Sequence, residues 1–271
     1  MSDRRMLRRM AGLLYARLPE LKLSRVSDPR RMATRWGLRQ VLRAVLVALM
    51  AGCRSLAEME TLTERLSVGS RRLLRLPRRL PDTTARDVIC RLDPDELRAC
   101  LHRLVRSAHR RKALRTSLPF RVVAMDGKVT ALPSWDDELV QRHTPEQGAP
   151  YGLLRTVTCA LVSAAGEVAE REVRFYNSSL SHDALTPAQW LELLRSHWGV
   201  ENNNHHTLDT AFAEDERPWI TGDARGTLAV VLMRRIAYTL LTLFRSVTQR
   251  SDERRGMRWK VLLSWVRDTL V

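Results

Sequence analysis

Glycine and proline are scarce, at 12 and 11 of 271 residues, which excludes collagen-like and low-complexity chains. Core-forming side chains are not scarce: 44% of the residues are hydrophobic, so disorder is excluded as well. The four cysteines, Cys53, Cys90, Cys100 and Cys159, lie scattered without a C-x-x-C pair. Neither a disulfide framework nor a zinc knuckle is expected from them, and a reducing cytoplasm is the expected compartment. Long apolar runs are missing too. The longest, Ala44 to Cys53, falls well short of the roughly 20 residues that span a bilayer. At the N-terminus charged residues recur throughout, with no apolar segment before a small-residue cleavage site, so no secretory signal is expected.

What the chain has in excess is positive charge. The formal net charge is +16, and it is unevenly placed. Up to Phe120 there are 28 Lys and Arg against 11 Asp and Glu, and after it 18 against 19. A soluble surface needs only a modest charge of either sign, so this concentration points to a polyanionic partner, nucleic acid first. A coding bias toward arginine would have raised both parts alike. The basic residues spread over several helices rather than one amphipathic face, which disfavours a membrane surface.

Leu38 to Met50 places Leu38, Val41, Leu42, Val45 and Leu49 at helical spacing. Gly52 ends that helix, and Ser55 with Glu58 forms a capping box for the next. Five arginines then fall within nine positions, Arg71, Arg72, Arg75, Arg78 and Arg79, and these are the candidate DNA contacts. Pro81 to Thr83 opens another helix, and Asp93 caps a further one with Pro94 in its first turn. The segment to about residue 118 is therefore expected to be all helical. A helix-turn-helix reader and a structural bundle with a wet basic face both fit it.

Beyond Pro119 the period changes. Arg121 to Met125, Leu153 to Ser163 and Val168 to Tyr176 read as strands. Helix resumes after Thr186, Pro187 and Gln189, and two more helices are expected over Thr227 to Ser246 and Met257 to Leu270. Asp126 stands at a strand end before Gly127, and Glu201 follows 75 residues later on a helix. Facing carboxylates of this kind hold Mg²⁺ in phosphoryl-transfer sites, although an Asp-Gly after a strand is also a common turn. Glu201, His205 and Asp209 share one face at i, i+4 and i+8, beside Asn202, Asn203 and Asn204. Such a density of poor helix formers suggests a site. Zinc on His205, His206 and Asp209 is the other metal reading, but it lacks a third ligand at good spacing.

The run from His197 to Arg217, H-W-G-V-E-N-N-N-H-H-T-L-D-T-A-F-A-E-D-E-R, resembles the glutamate segment of the H-repeat-associated, ISAs-type branch of the DDE insertion-sequence transposases. That branch reads H-W-x-I-E-N-x-x-H-W-x-L-D-x-x-F-x-E-D, and His206 replaces its second Trp. Val122 to Lys128, VVAMDGK, is similar to its first-aspartate strand. Asp28 to Arg31 and Ala51 to Leu56 are similar to its helical N-terminal associated domain.

The resemblance implies an α+β chain. Residues 1–118 would form a basic helical DNA-binding domain, and residues 119–271 a shortened ribonuclease-H-like core with C-terminal helices. It implies Mg²⁺ or Mn²⁺ held by Asp126 and Glu201, with Lys128, His197, Asn202 and His205 in supporting roles. The implied partners are double-stranded DNA at the element ends and either a second copy or an intact transposase, with no membrane, in a bacterial nucleoid. The family's second catalytic Asp has no counterpart. Only nine residues separate Tyr176 from Thr186, too few for a crossover helix and a strand. Asp183 is the nearest stand-in by position, with Asp136, Asp137 and Asp209 as others. The expectation is an internally deleted transposase, either able to cut DNA or reduced to binding it.

Overall fold

A computed structural model describes residues 12, 18–31, 35–113, 154–162, 168–177, 184–199, 204–245 and 256–271. Two short 3-10 turns, Leu18–Leu21 and Leu23–Arg25, lead into α1 (Leu38–Met50), α2 (Leu56–Glu64), α3 (Val68–Leu74), α4 (Asp82–Arg91) and α5 (Pro94–Arg110). A hairpin, β1 (Leu154–Val162) and β2 (Val168–Asn177), precedes α6 (Pro187–Gly199) and the short α7 (His206–Thr210). Last come α8 (Ala224–Leu243) and α9 (Trp259–Leu270).

Capping residues set several of these boundaries. The Ser55 hydroxyl accepts from the Glu58 amide at 3.1 Å, and the Glu58 carboxylate accepts from the Arg54 amide at 2.9 Å. Asp93 accepts from the Asp95 amide at 2.9 Å. Thr186 and Gln189 exchange bonds in both directions, as a full capping box does. Helix α8 starts three residues earlier than its apolar stripe suggests, because the Asp223 carboxylate caps it on the Gly226 amide.

The C-terminal helices do not form a layer of their own. Helix α8 packs against α1, α4 and α5, and α9 packs against α1 and α3. One cluster of buried apolar side chains runs from Leu18 through α1, α4 and α5 to Phe244 and Leu270. Helix α1 is buried all round from Ala44 to Met50, the pattern of a helix enclosed on every side. Helix α8 is long and apolar enough to cross a bilayer, yet most of it is buried inside the protein. Two glycines permit this closeness. A Cβ on Gly226 would meet Cys90 Sγ at 2.9 Å, so α8 lies hard against α4. Gly52, at φ 73°, ends α1 in a Schellman turn: its amide donates to Leu49 and that of Cys53 to Ala48. Leu263 of α9 lies 3.3 Å from where its Cβ would be.

This architecture overturns the α+β expectation. The protein is mostly helical, and a ribonuclease-H-like core is not formed by the described residues. Their strands make a single antiparallel hairpin, with Leu154 opposite Asn177 and a bulge at Leu161 and Val162. A ribonuclease-H-like sheet needs further strands for helices to cover. Here the apolar stripes of α8 and α9, which could have covered such a sheet, are spent on α1, α3, α4 and α5. Local periodicity reports that a helix is amphipathic and is silent about what its apolar side meets.

Gly52→Ala is expected to lower stability by about 1 to 2 kcal/mol in urea denaturation, through the positive φ and the Leu263 contact. A chain ending at residue 113 lacks α8 and α9. It is expected to melt without a cooperative transition and to bind a hydrophobic dye, whereas an autonomous helical unit would melt sharply.

Candidate functional site

Two chemically distinct regions stand out, an arginine-rich edge on α1 to α3 and an acidic turn between α7 and α8. The five arginines read as one strip divide in the structure. Arg71 turns back to donate to the Glu64 carbonyl at 2.7 Å, capping the end of α2. Arg79 pairs with Glu60 at 3.1 Å, and the other oxygen of Glu60 accepts the Asp82 amide where α4 begins. The Arg78 guanidinium lies over the Trp36 ring, 5.2 Å from its centroid. Arg72 is exposed on α3. Arg75 ends α3 in the left-handed conformation at φ 56°.

Arg75 also meets residues that its place in the sequence does not suggest. Gln40, in the first turn of α1, donates to the Arg75 carbonyl at 2.6 Å and accepts the Gly37 amide at 2.9 Å. This tie sets the first turns of α1 beside the end of α3, and so brings Arg43 within electrostatic reach of Arg75. Burial, then the positive charges of Arg75 and Arg39, hold the Arg43 guanidinium below its ordinary pKa. Among the described residues no ion pair engages these three arginines.

The acidic turn follows α7. The carboxylates of Asp209, Glu214 and Asp215 lie within 4.8 Å of one another. Ala213 turns the chain at φ 50°, and the Glu214 amide closes back on the Leu208 carbonyl at 3.0 Å. Beneath it Arg234 of α8, almost wholly buried, donates to the Glu214 carbonyl at 3.2 Å and to the Arg217 carbonyl. Burial pushes Arg234 down to about 10, and the charges of Glu214 and Asp215 pull it back up. Phe212 plugs the turn into the core against Tyr238 and Trp259, with ring centroids 6.2 and 6.0 Å away. Tyr238 stacks on Trp259, and Arg245 covers the Trp259 ring at 4.3 Å.

Asp209, one of the stand-ins for the third carboxylate, is thus gathered with Glu214 and Asp215. The set offers the oxygen donors Mg²⁺ takes. Its buried member nevertheless lies beside a guanidinium that already supplies positive charge, so the turn fits an anchor of the fold better than a metal cage. His205 lies in a wide turn just before α7, half-buried. Asp126, Lys128, Asp183, Glu201 and Asn202 lie outside the described residues, as does the side chain of His197 on α6. Arg39, Arg43 and Arg234 are the functional candidates that sequence reasoning missed. Only Arg234 carried a signal, a charge on the apolar stripe between Val230 and Ala237.

Against known proteins, a family model described as DDE_Tnp_1-associated matches residues 21–105. The match covers the segment from the end of the first 3-10 turn through most of α5, and relates the chain to the DDE-type transposases. Comparison with curated proteins and with solved structures gives no match.

Arg234→Met removes donors from two backbone carbonyls and the charge beside Glu214. A loss of about 2 to 4 kcal/mol in urea denaturation is expected. Adding Glu214→Leu should recover part of it, as a double-mutant cycle would reveal.

Proposed function

We propose that the chain acts on DNA as an insertion-sequence transposase whose basic helices bind a duplex carrying the element's end. The observation that carries this reading is the coincidence of the transposase-associated match, residues 21–105, with a helical unit holding most of the excess positive charge. In this reading Asp126 and Glu201, with Asp183 or Asp209 as third carboxylate, hold Mg²⁺ or Mn²⁺. When bound, the ion activates the attacking oxygen and stabilises charge at phosphorus. The chain's own part is to hold the duplex by its phosphates and to present the carboxylates.

One feature favours a second reading, a DNA-binding remnant without cleavage that pairs with an intact transposase. Strand β2 ends at Asn177 and α6 begins at Pro187. That span has no room for a crossover and a strand bearing a second catalytic Asp.

The test is Mg²⁺- or Mn²⁺-dependent nicking of a labelled duplex bearing the element's end, beside Asp126→Ala and Glu201→Ala. Nicking that both substitutions abolish supports the transposase reading. Tight binding without nicking supports the remnant, and absence of binding at low salt overturns both.

A further inference from the structure

We propose that Arg39, Arg43 and Arg75 form a clamp for the backbone phosphates of a DNA duplex, built across the junction of α1 and α3. The inference rests on the DNA-binding reading above and goes beyond it by naming the grip. Thirty-one residues separate Arg43 from Arg75, and only the fold makes them neighbours. The Gln40 side chain fastens the two elements at 2.6 Å, and Arg78 stacked on Trp36 holds the chain just beyond.

Two of the arginines that the sequence groups with Arg75 have other work. Arg71 caps α2, and Arg79 is paired with Glu60. By contrast Arg43 lies within electrostatic reach of both Arg75 and Arg39, and no ion pair among the described residues neutralises the three. Such a cluster repels itself in the free protein. Arg39 also lies in the first turn of α1, where the helix dipole disfavours a cation. Neither placement helps the fold, so the natural counterpart is a polyanion whose charges relieve both. Guanidinium forks match phosphate oxygens in pairs, and partial burial of Arg43 strengthens its attraction by lowering the local dielectric. Contacts to phosphate oxygens carry no sequence information, so a clamp on the backbone positions the duplex without selecting sequence.

The test is fluorescence anisotropy of the full chain with two labelled duplexes of equal length, the element end and a scrambled sequence, at several salt concentrations. The triple variant Arg39→Gln, Arg43→Gln, Arg75→Asn is compared with Arg91→Gln, whose arginine pairs with Asp87 on α4. Asn is chosen at position 75 because it tolerates the left-handed cap. The triple variant is expected to lose at least about thirtyfold in affinity for both duplexes, and its salt slope to fall by about 2 to 3. Arg91→Gln should stay within about twofold of the parent. Should the triple variant fail to melt cooperatively, Arg75→Asn alone must lower the slope by about 1. Parental affinity and slope in folded variants would overturn the clamp while leaving the DNA-binding reading intact. Failure of the parent to bind either duplex would overturn that reading itself.

Discussion

The burial of α8 is the constraint on which the rest of the structure depends. This helix is covered by α1, α4 and α5 along most of its length, and its close approach to α4 is possible only because Gly226 has no side chain. Large aliphatic side chains such as Met233, Ile236, Leu240 and Leu241 leave water there, at about 1.5 to 3 kcal/mol each. The helices before residue 113 and those after residue 223 are thereby committed to one core. The hairpin and the segments around it fall between two halves of a single helical body in chain order.

That arrangement gives the polar and charged side chains their meaning. Arg234 is carried inward by a helix that must be buried, and it closes the acidic turn by binding two backbone carbonyls. Phe212 fixes the same turn from the other side through Tyr238 and Trp259. The motif segment after α7 is therefore anchored to the C-terminal helices at two points. Near the other end of the core, the Ser67 amide donates to the Leu270 carbonyl at 2.9 Å and the Ser70 hydroxyl to that of Thr269. Helix α9 thus supports α3, and through it the basic junction with α1. Because the basic junction rests on the C-terminal helices, any ligand held there only by the folded chain would also stabilise the fold.

Much of the local structure was legible from residues alone. The caps at Ser55, Asp93 and Thr186 were readable because each satisfies helix-end amides through neighbours three residues away or fewer. The stripe of α1 was readable for a similar reason, its period being a local property. The architecture was not. A sheet-covering helix and a helix buried among helices carry the same apolar stripe, so the C-terminal helices did not contradict the sheet core that the strand readings and the resemblance suggested and that the described residues do not form. The arginine strip was legible as charge and illegible as a site. Spacing along the chain could not tell that Arg71 and Arg79 are engaged within the protein while Arg39 and Arg43 stand beside Arg75.

Composition and motif by themselves set the expectation of a polyanionic partner, since an excess of positive charge confined to the first part of the chain attracts one wherever the helices lie. They also determined where most helices begin and end, because caps and periodicity act over a few residues. Tertiary structure alone decided that the first and last helices share one core. It alone decided which arginines are neutralised, because pairing depends on distances between side chains that lie far apart in sequence. Coulomb attraction and apolar burial act through space, and only the folded chain sets those separations.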